Sequence, residues 1–425
     1  MTNANPARLR ILVLAEMCNP SWTSVPLVGY NLARALANRP DLDVTLVTQI
    51  RNQAALQSDP LAQAAVIHFI DSEFVAKPIH LLAKLLRGGT GKAWTLDTAS
   101  MWPSYLMFER LAYMRFRRQL EGGEFDLIHR ITPLSPIFPS PLAGWTEVPM
   151  LIGPINGGLP FPKEFPELRQ REREWLRPLR SLYKLMPYYR STWTNVAGAI
   201  AASRHTEREF PVWFRGKRFF LPENAVDPQR FPLAARWPEP EGTFRFITVG
   251  RLVPLKAIDL IMEAMASSDS LKRCRLTIVG DGPERQNLEA LAHRLFVRDS
   301  IEFLGWLDQP ALAAEYARSQ AFVFPSLKEF GGGVVLEAMS AALPSIVVNY
   351  GGPGELVSDE TGVRLPMKPR AELIASLRQE MERLAGDHHR CRALGGAAVR
   401  EVSERWTWDA KARRVTDIYR EVLDA

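Results

Sequence analysis

The sequence predicts an α/β protein of two domains, each built on a parallel sheet, and three observations predict it. The 425 residues exceed what one hydrophobic core usually supports. Short continuous apolar runs recur along the chain, each followed by a polar loop and then by apolar residues at helical spacing, the pattern of strands buried on both faces by crossover helices. Between residues 228 and 242 that alternation is interrupted by Pro228, Pro232, Pro238, Pro240 and Gly242, a composition suited to an interdomain linker.

In the first domain, Ile11-Leu12-Val13-Leu14-Ala15 reads as a buried strand and Glu16 to Ser24 as the polar loop after it. A helix with Val28, Leu32, Ala35 and Leu36 on one face and a strand over Val44 to Thr48 complete a β-α-β unit. Ligands bind at such strand ends, but the loop has Gly29 as its one glycine and lacks Gly-x-Gly-x-x-Gly, which counts against a dinucleotide enzyme. Asp41-Leu42-Asp43 lies in a helix-to-strand turn and reads as turn chemistry rather than a metal site. Phe125 to His129 reads as a strand ending in His129, and Met150 to Ile152 as another running into Gly153-Pro154-Ile155-Asn156-Gly157-Gly158. A late strand spans Ala197 to Ala202, with Ser203 starting a loop or helix.

The second domain starts at Phe244 to Val249, a strand that ends in Gly250-Arg251-Leu252-Val253-Pro254-Leu255-Lys256. Leu276 to Glu284 gives a strand, a tight turn and a helix start with Pro283 at an early position, expected to be mostly architecture. The most informative stretch is Phe322 to Glu337, which reads as strand, polar loop and helix, with Gly331, Gly332 and Gly333 at the helix start. A helix that begins at glycines leaves backbone N–H groups free and turns the positive end of its dipole toward an anion, so phosphate is the natural guest. Glu329 and Glu337 flank that start. Carboxylates only accept hydrogen bonds, so they are suited to hydroxyls, and a ligand with phosphates between two polyhydroxylated rings is a nucleotide sugar.

Glu329 and Glu337, with seven residues and the glycines between them, resemble the signature of the family-four retaining glycosyltransferases. Phe219 to Asp227 is similar to the family's Pro-Asn-Gly-Val-Asp segment, with Ala225 in place of the glycine, and Gly250 to Lys256 resembles its Gly-Arg…Lys loop. Ile301 to Leu307 and Gly351 to Leu356 also match in position, so the resemblance spans residues 219–365 and is looser before them. It implies the GT-B fold: two Rossmann-like α/β domains facing across a cleft, with a C-terminal helix crossing back to the N-terminal domain. Residues 1–220 with 407–425 would form the acceptor domain and 221–406 the donor domain. Arg251, Lys256 and the backbone at Gly332, Gly333 and Val334 would hold the diphosphate. Glu337 would bind ribose, Glu329 the sugar, and the base would pack near Gly305. The resemblance adds His129 as a catalytic residue, and Ser24, Asn156 and Gly157 are acceptor or cleft candidates.

Arg251 and Lys256 can neutralise the charge that builds on a departing nucleoside diphosphate, so the expected reaction needs neither metal nor cofactor. The expected activity is transfer of a hexose-type unit from a UDP- or GDP-linked sugar to a hydroxyl, with the anomeric configuration retained as the family implies. A sugar-nucleotide epimerase of related fold is the alternative.

Residues 1–220 hold 27 Lys and Arg against 18 Asp and Glu, leaving 26 against 29 for the remainder, so the basic charge sits in the first half. That half calls for an anionic partner, and membrane lipid fits better than nucleic acid, which would leave Glu329 and Glu337 without purpose. Two basic, apolar-rich segments, 74–96 and 175–193, read either as membrane-interface helices or as ordinary amphipathic helices with a core face. The expected acceptor is lipid-linked or a glycan, in bacterial exopolysaccharide or lipopolysaccharide assembly. The N-terminus reads as lacking a signal peptide, no run approaches the roughly 20 apolar residues of a membrane span, and Cys18, Cys274 and Cys391 form no pair motif. The expected location is cytoplasmic, peripheral on the inner face of the membrane.

Overall fold

A computed structural model describes residues 8–75, 94–171 and 181–424. The chain divides into two units. The first comprises Met1–Gly157, Leu176–Glu223 and Lys411–Ala425, and the second comprises Gly158–Trp175 and Asn224–Ala410.

The first unit holds a parallel sheet of seven strands: β1 (Leu9–Ala15), β2 (Leu42–Gln49), β3 (Val66–Ile70), β4 (Leu127–Thr132), β5 (Met150–Ile155), β6 (Gly198–Ala201) and β7 (Lys217–Phe220). Their order is β3-β2-β1-β4-β5-β6-β7. Residues Ile11 to Ala15 of β1 are fully buried, as an apolar run covered on both faces requires. The helix Val25–Ala37 buries Val28, Leu32, Ala35 and Leu36, completing the expected β-α-β unit. Ser203 caps the helix Arg204–Arg208, its side chain accepting from the Thr206 amide at 3.1 Å.

The second unit holds six parallel strands: β8 (Arg245–Val249), β9 (Arg275–Val279), β10 (Ile301–Gly305), β11 (Ala321–Phe324), β12 (Ser345–Val348) and β13 (Gly362–Leu365). Their order is β10-β9-β8-β11-β12-β13. Each sheet thus runs outward in one direction from its first strand and in the other from its fourth. The two central pairs, β1 with β4 and β8 with β11, are the switch points where ligands of such sheets bind, outside the carboxyl ends of the strands.

Two boundaries differ from the expected ones. Gly158–Trp175 lies in the second unit rather than the first, because Phe165 packs into that unit's core and the Tyr350 hydroxyl donates to the Pro160 carbonyl at 2.6 Å. β4 does not end at His129 but continues to Thr132, which places His129 in mid-strand with no exposed surface. The helix Trp408–Leu423 returns the chain to the first unit from Lys411 onward and buries Ala412, Val415, Ile418, Tyr419 and Val422, the stripe its spacing predicts. Of the segment 74–96, residues 76–93 lie outside the described residues, as do 175–180 of the second basic segment.

Candidate functional site

The site assembles in the second unit at the β8–β11 switch point. After β8 the chain turns at Gly250, makes a short 3-10 helix over Pro254–Lys256 and enters the helix Ile258–Ala266. Gly280 makes this approach possible: a Cβ there would sit 2.0 Å from the Gly250 carbonyl oxygen. After β11, Pro325 to Gly332 form the loop that leads into the helix Gly333–Ser340. The two loops are stitched together, since the Leu255 carbonyl accepts from the Leu327 amide at 2.9 Å and from the Ser326 hydroxyl at 3.3 Å.

That stitching brings Lys256 and Glu329 together. The Lys256 ammonium donates to Glu329 Oε2 in an ion pair and lies 4.7 Å from the centre of the Phe324 ring below it. The two side chains are 17% and 24% exposed, so the pair is sheltered yet reachable by a ligand. Glu329 is fixed through its backbone as well. Its carbonyl accepts from the Gly352 amide at 3.0 Å, and Gly351, at φ +64°, leaves room where a Cβ would stand 2.3 Å from that oxygen. Arg251 is exposed, and its side chain forms no hydrogen bond or ion pair among the described residues.

Gly332, in the left-handed region at φ +60°, caps the helix Gly333–Ser340. The amides of Gly333 and Val334 have no acceptor among the described residues, while Val335 already donates to the Gly332 carbonyl at 2.9 Å. Two donors at the positive end of a helix are thereby left for an anion. One turn on, Glu337 accepts from the Tyr316 hydroxyl at 3.2 Å, and Tyr316 also reaches the Val334 carbonyl at 3.3 Å. Burial pushes the Glu337 carboxyl up to about 7, and the Tyr316 hydrogen bond only partly offsets it. Glu337 also borders a cavity of about 270 Å³ with Phe231, Pro232, Tyr316 and Ser340. Gly305 lies at the end of β10 at φ +71°, with Arg285 Nη1 3.2 Å from where its Cβ would be.

Several neighbours carried no signal in the sequence. Tyr316 stands at core spacing in its helix and is fully buried, so nothing marked it as the partner of Glu337. Phe324 reads only as a strand residue. Leu159 and Phe161 pack against this loop region, Leu159 near Gly351 and Phe161 with its ring centre 3.7 Å from the Lys328 ammonium. Their segment looked like part of the other domain.

The first-unit candidates are placed differently. His129 has both ring nitrogens engaged, Nδ1 with the Tyr419 hydroxyl at 2.7 Å and Nε2 with the Gly153 carbonyl at 2.8 Å. Burial lowers its pKa to about 4, so it is neutral, with Nε2–H donating to the carbonyl and Nδ1 accepting from Tyr419. It fastens the last helix to the sheet and has no nitrogen left for a substrate, so its expected catalytic role is not carried forward. Asn156 donates to Glu223 at 2.8 Å and the Gly157 amide to Thr206 at 2.9 Å. Ser24 is exposed at φ 63° ahead of the helix Val25–Ala37 and makes no side-chain cap. Asp41 is paired with Arg39 at 2.8 Å and Arg420 at 2.6 Å, in line with a turn role. Among the described residues no group of three or more His, Cys, Asp and Glu is arranged to hold a metal ion, and no helix is long and apolar enough to cross a membrane.

Comparison with known proteins places this geometry in context. Residues 230–394 match the protein family glycosyl transferases group 1. A glycogen synthase of Mycobacterium tuberculosis is 32% identical over 201 residues, 46% of this chain and 47% of that protein. The GDP-mannose-dependent alpha-(1-6)-phosphatidylinositol monomannoside mannosyltransferase of the same organism is 31% identical over 183 residues, 41% of this chain and 46% of that one. The chain spans about half the length of the curated relatives it matches. Among solved structures, the sucrose-phosphate synthase of Thermosynechococcus elongatus aligns over 98% of this chain and 100% of its own, with TM-score 0.61 and 19% identity. That likeness establishes the GT-B fold, with two parallel-sheet Rossmann-like domains.

Proposed function

We propose that the protein is a retaining, metal-independent hexosyltransferase using a nucleoside-diphosphate sugar, a reading supported by the match of residues 230–394 to the group 1 glycosyl transferases. The observation that carries the reading is the meeting of Lys256 and Glu329 at the second switch point, beside an unpaired Arg251 and a helix start with free amides. Lys256 and Arg251 receive the diphosphate, Gly333 and Val334 donate to it, and Glu329 is released from Lys256 to accept sugar hydroxyls. Glu337 accepts from the ribose, and the base lies toward Gly305.

The proposed step follows from these charges. The bond between the anomeric carbon and the phosphate oxygen breaks, and its electron pair leaves with the diphosphate, whose growing charge Arg251 and Lys256 stabilise. The acceptor oxygen bonds the anomeric carbon on the same face, and its proton passes to the departing phosphate oxygen. Retention then requires no covalent enzyme intermediate. The acceptor is lipid-linked or a growing glycan of the bacterial surface, bound by the first unit near Ser24, Asn156 and Gly157, and the protein works on the cytoplasmic side at an anionic membrane face. The relative named for a phosphatidylinositol monomannoside supports a lipid acceptor.

Incubation with UDP- and GDP-sugars and candidate acceptors, followed by NMR of the product, tests the reading. Retained configuration at the anomeric carbon is expected. An inverted centre contradicts the mechanism, and a new nucleotide sugar formed without acceptor contradicts the transferase in favour of an epimerase.

A further inference from the structure

We infer that the first unit carries a bilayer-docking patch, built from residues 182–190 and 208–215, that seats the protein on an anionic membrane surface. Of the eleven large apolar side chains left exposed among the described residues, five fall here: Leu182, Leu185, Tyr188, Val212 and Trp213. Leu185 is 82% exposed and Val212 97%, values with no benefit to a domain that only needs a soluble surface. The two segments form one surface, because a single depression is lined by Lys184 and Arg190 from one and by Arg208, Val212 and Trp213 from the other.

The patch is held rigid from beneath. Phe210 and Phe214 are buried on either side of the exposed pair, their ring centres 4.9 and 5.1 Å from that of Trp193. Pinning those two rings inward turns Val212 and Trp213 outward. Tyr183 rests on buried Tyr189 with ring centres 5.6 Å apart, and the short 3-10 helix Ser181–Leu185 presents Leu182 and Leu185 to solvent. The described part of the segment is therefore not one amphipathic helix: Tyr189 and Trp193 are core, while Leu182, Leu185 and Tyr188 before them are surface.

Charge selects the occupant. Lys184, Arg190, Arg208 and Arg215 are exposed and have no ion-pair partner among the described residues. Glu209 is the one carboxylate lining the depression, and His205 lies 3.4 Å from it. Apolar side chains with an aromatic anchor, ringed by basic residues, match a bilayer interface rich in anionic headgroups. The inference serves the lipid-linked half of the functional reading and is independent of the donor chemistry.

Flotation of the full chain with phosphatidylcholine vesicles, with and without phosphatidylglycerol, tests it against two surface variants. The wild type is expected to float with the anionic vesicles and to be released by salt. Leu185→Ser/Val212→Ser and Lys184→Glu/Arg208→Glu should each weaken binding by roughly tenfold or more. Both pairs are exposed, so melting curves should not change. No flotation of the wild type, or flotation of both variants equal to that of the wild type, overturns the proposal. Thermal-shift response to nucleoside diphosphates is read in the same samples, and its persistence in the variants separates failure of the patch from failure of the donor site.

Discussion

The two units share a strand order out to their sixth strands and differ in what they put at the switch point. In the first, most of the polar contacts there are made to the protein itself, although Glu16 Oε2 is buried without a hydrogen-bond partner among the described residues. Glu16, after β1, is buried against Arg51, and Thr132, at the end of β4, exchanges hydrogen bonds with the Met17 backbone at 3.0 and 3.1 Å. In the second, the same position holds a half-sheltered ion pair, together with an arginine and two helix amides that have no partner among the described residues. The topology fixes where a ligand can sit, and the loop residues decide whether there is chemistry to meet it.

That contrast is broken most sharply by paired variants. Lys256→Ala should lower kcat by about a thousandfold, and Arg251→Ala by about a hundredfold, with melting temperature nearly unchanged, because both act on charge that develops as the diphosphate leaves. Steady-state kinetics on purified protein checks this. His129→Ala should do the reverse. It leaves the Tyr419 hydroxyl and the Gly153 carbonyl unsatisfied in the core and should cost about 2–3 kcal/mol in urea unfolding, while folded protein keeps most of its kcat. A thousandfold loss of kcat in stable His129→Ala protein would return the histidine to catalysis.

The next effect is a pH dependence confined to the second unit. Glu337 titrates at about 7, above its ordinary value, so it is mostly protonated at pH 6 and mostly ionised at pH 8. Ribose hydroxyls donate to the ionised form, so donor affinity should rise about tenfold across that interval, and Glu337→Gln should flatten the profile. The sign for stability is opposite. A carboxyl raised on folding disfavours the folded state increasingly as pH climbs from its unfolded value toward 7. The smallest effect belongs to Tyr316→Phe, which removes a donor to the carboxylate, moves the titration upward and should weaken binding about two- to threefold at pH 7. Calorimetric titration with a nucleoside diphosphate reads both.

Much of this was legible in the sequence because buried parallel strands and glycine-rich helix starts have strong local patterns. Strand β1, the helix after it, the Gly250–Lys256 loop and the Glu329–Glu337 spacing all stood out on local grounds. What the sequence hid depends on distant partners. The extension of β4 past His129 follows from pairing with β1, where Ala15 lies opposite Thr132, and no composition at Arg130 or Ile131 announces it. Likewise, Gly158–Trp175 follows the first unit in sequence but is held in the second by Phe165 and Pro160. The basic segment after residue 175 reads ambiguously because its described part divides, Tyr189 and Trp193 inward and Leu182 and Leu185 outward.

The proposed site has Arg251, Lys256, Glu329 and Glu337 gripping one nucleotide-sugar molecule in the second unit. Isothermal titration of wild type and Lys256→Ala with UDP, GDP and their sugars tests it most directly. At least one nucleoside diphosphate is expected to bind the wild type, and Lys256→Ala to lose most of that affinity. Binding of none of them, or equal binding by the variant, would contradict the proposed site.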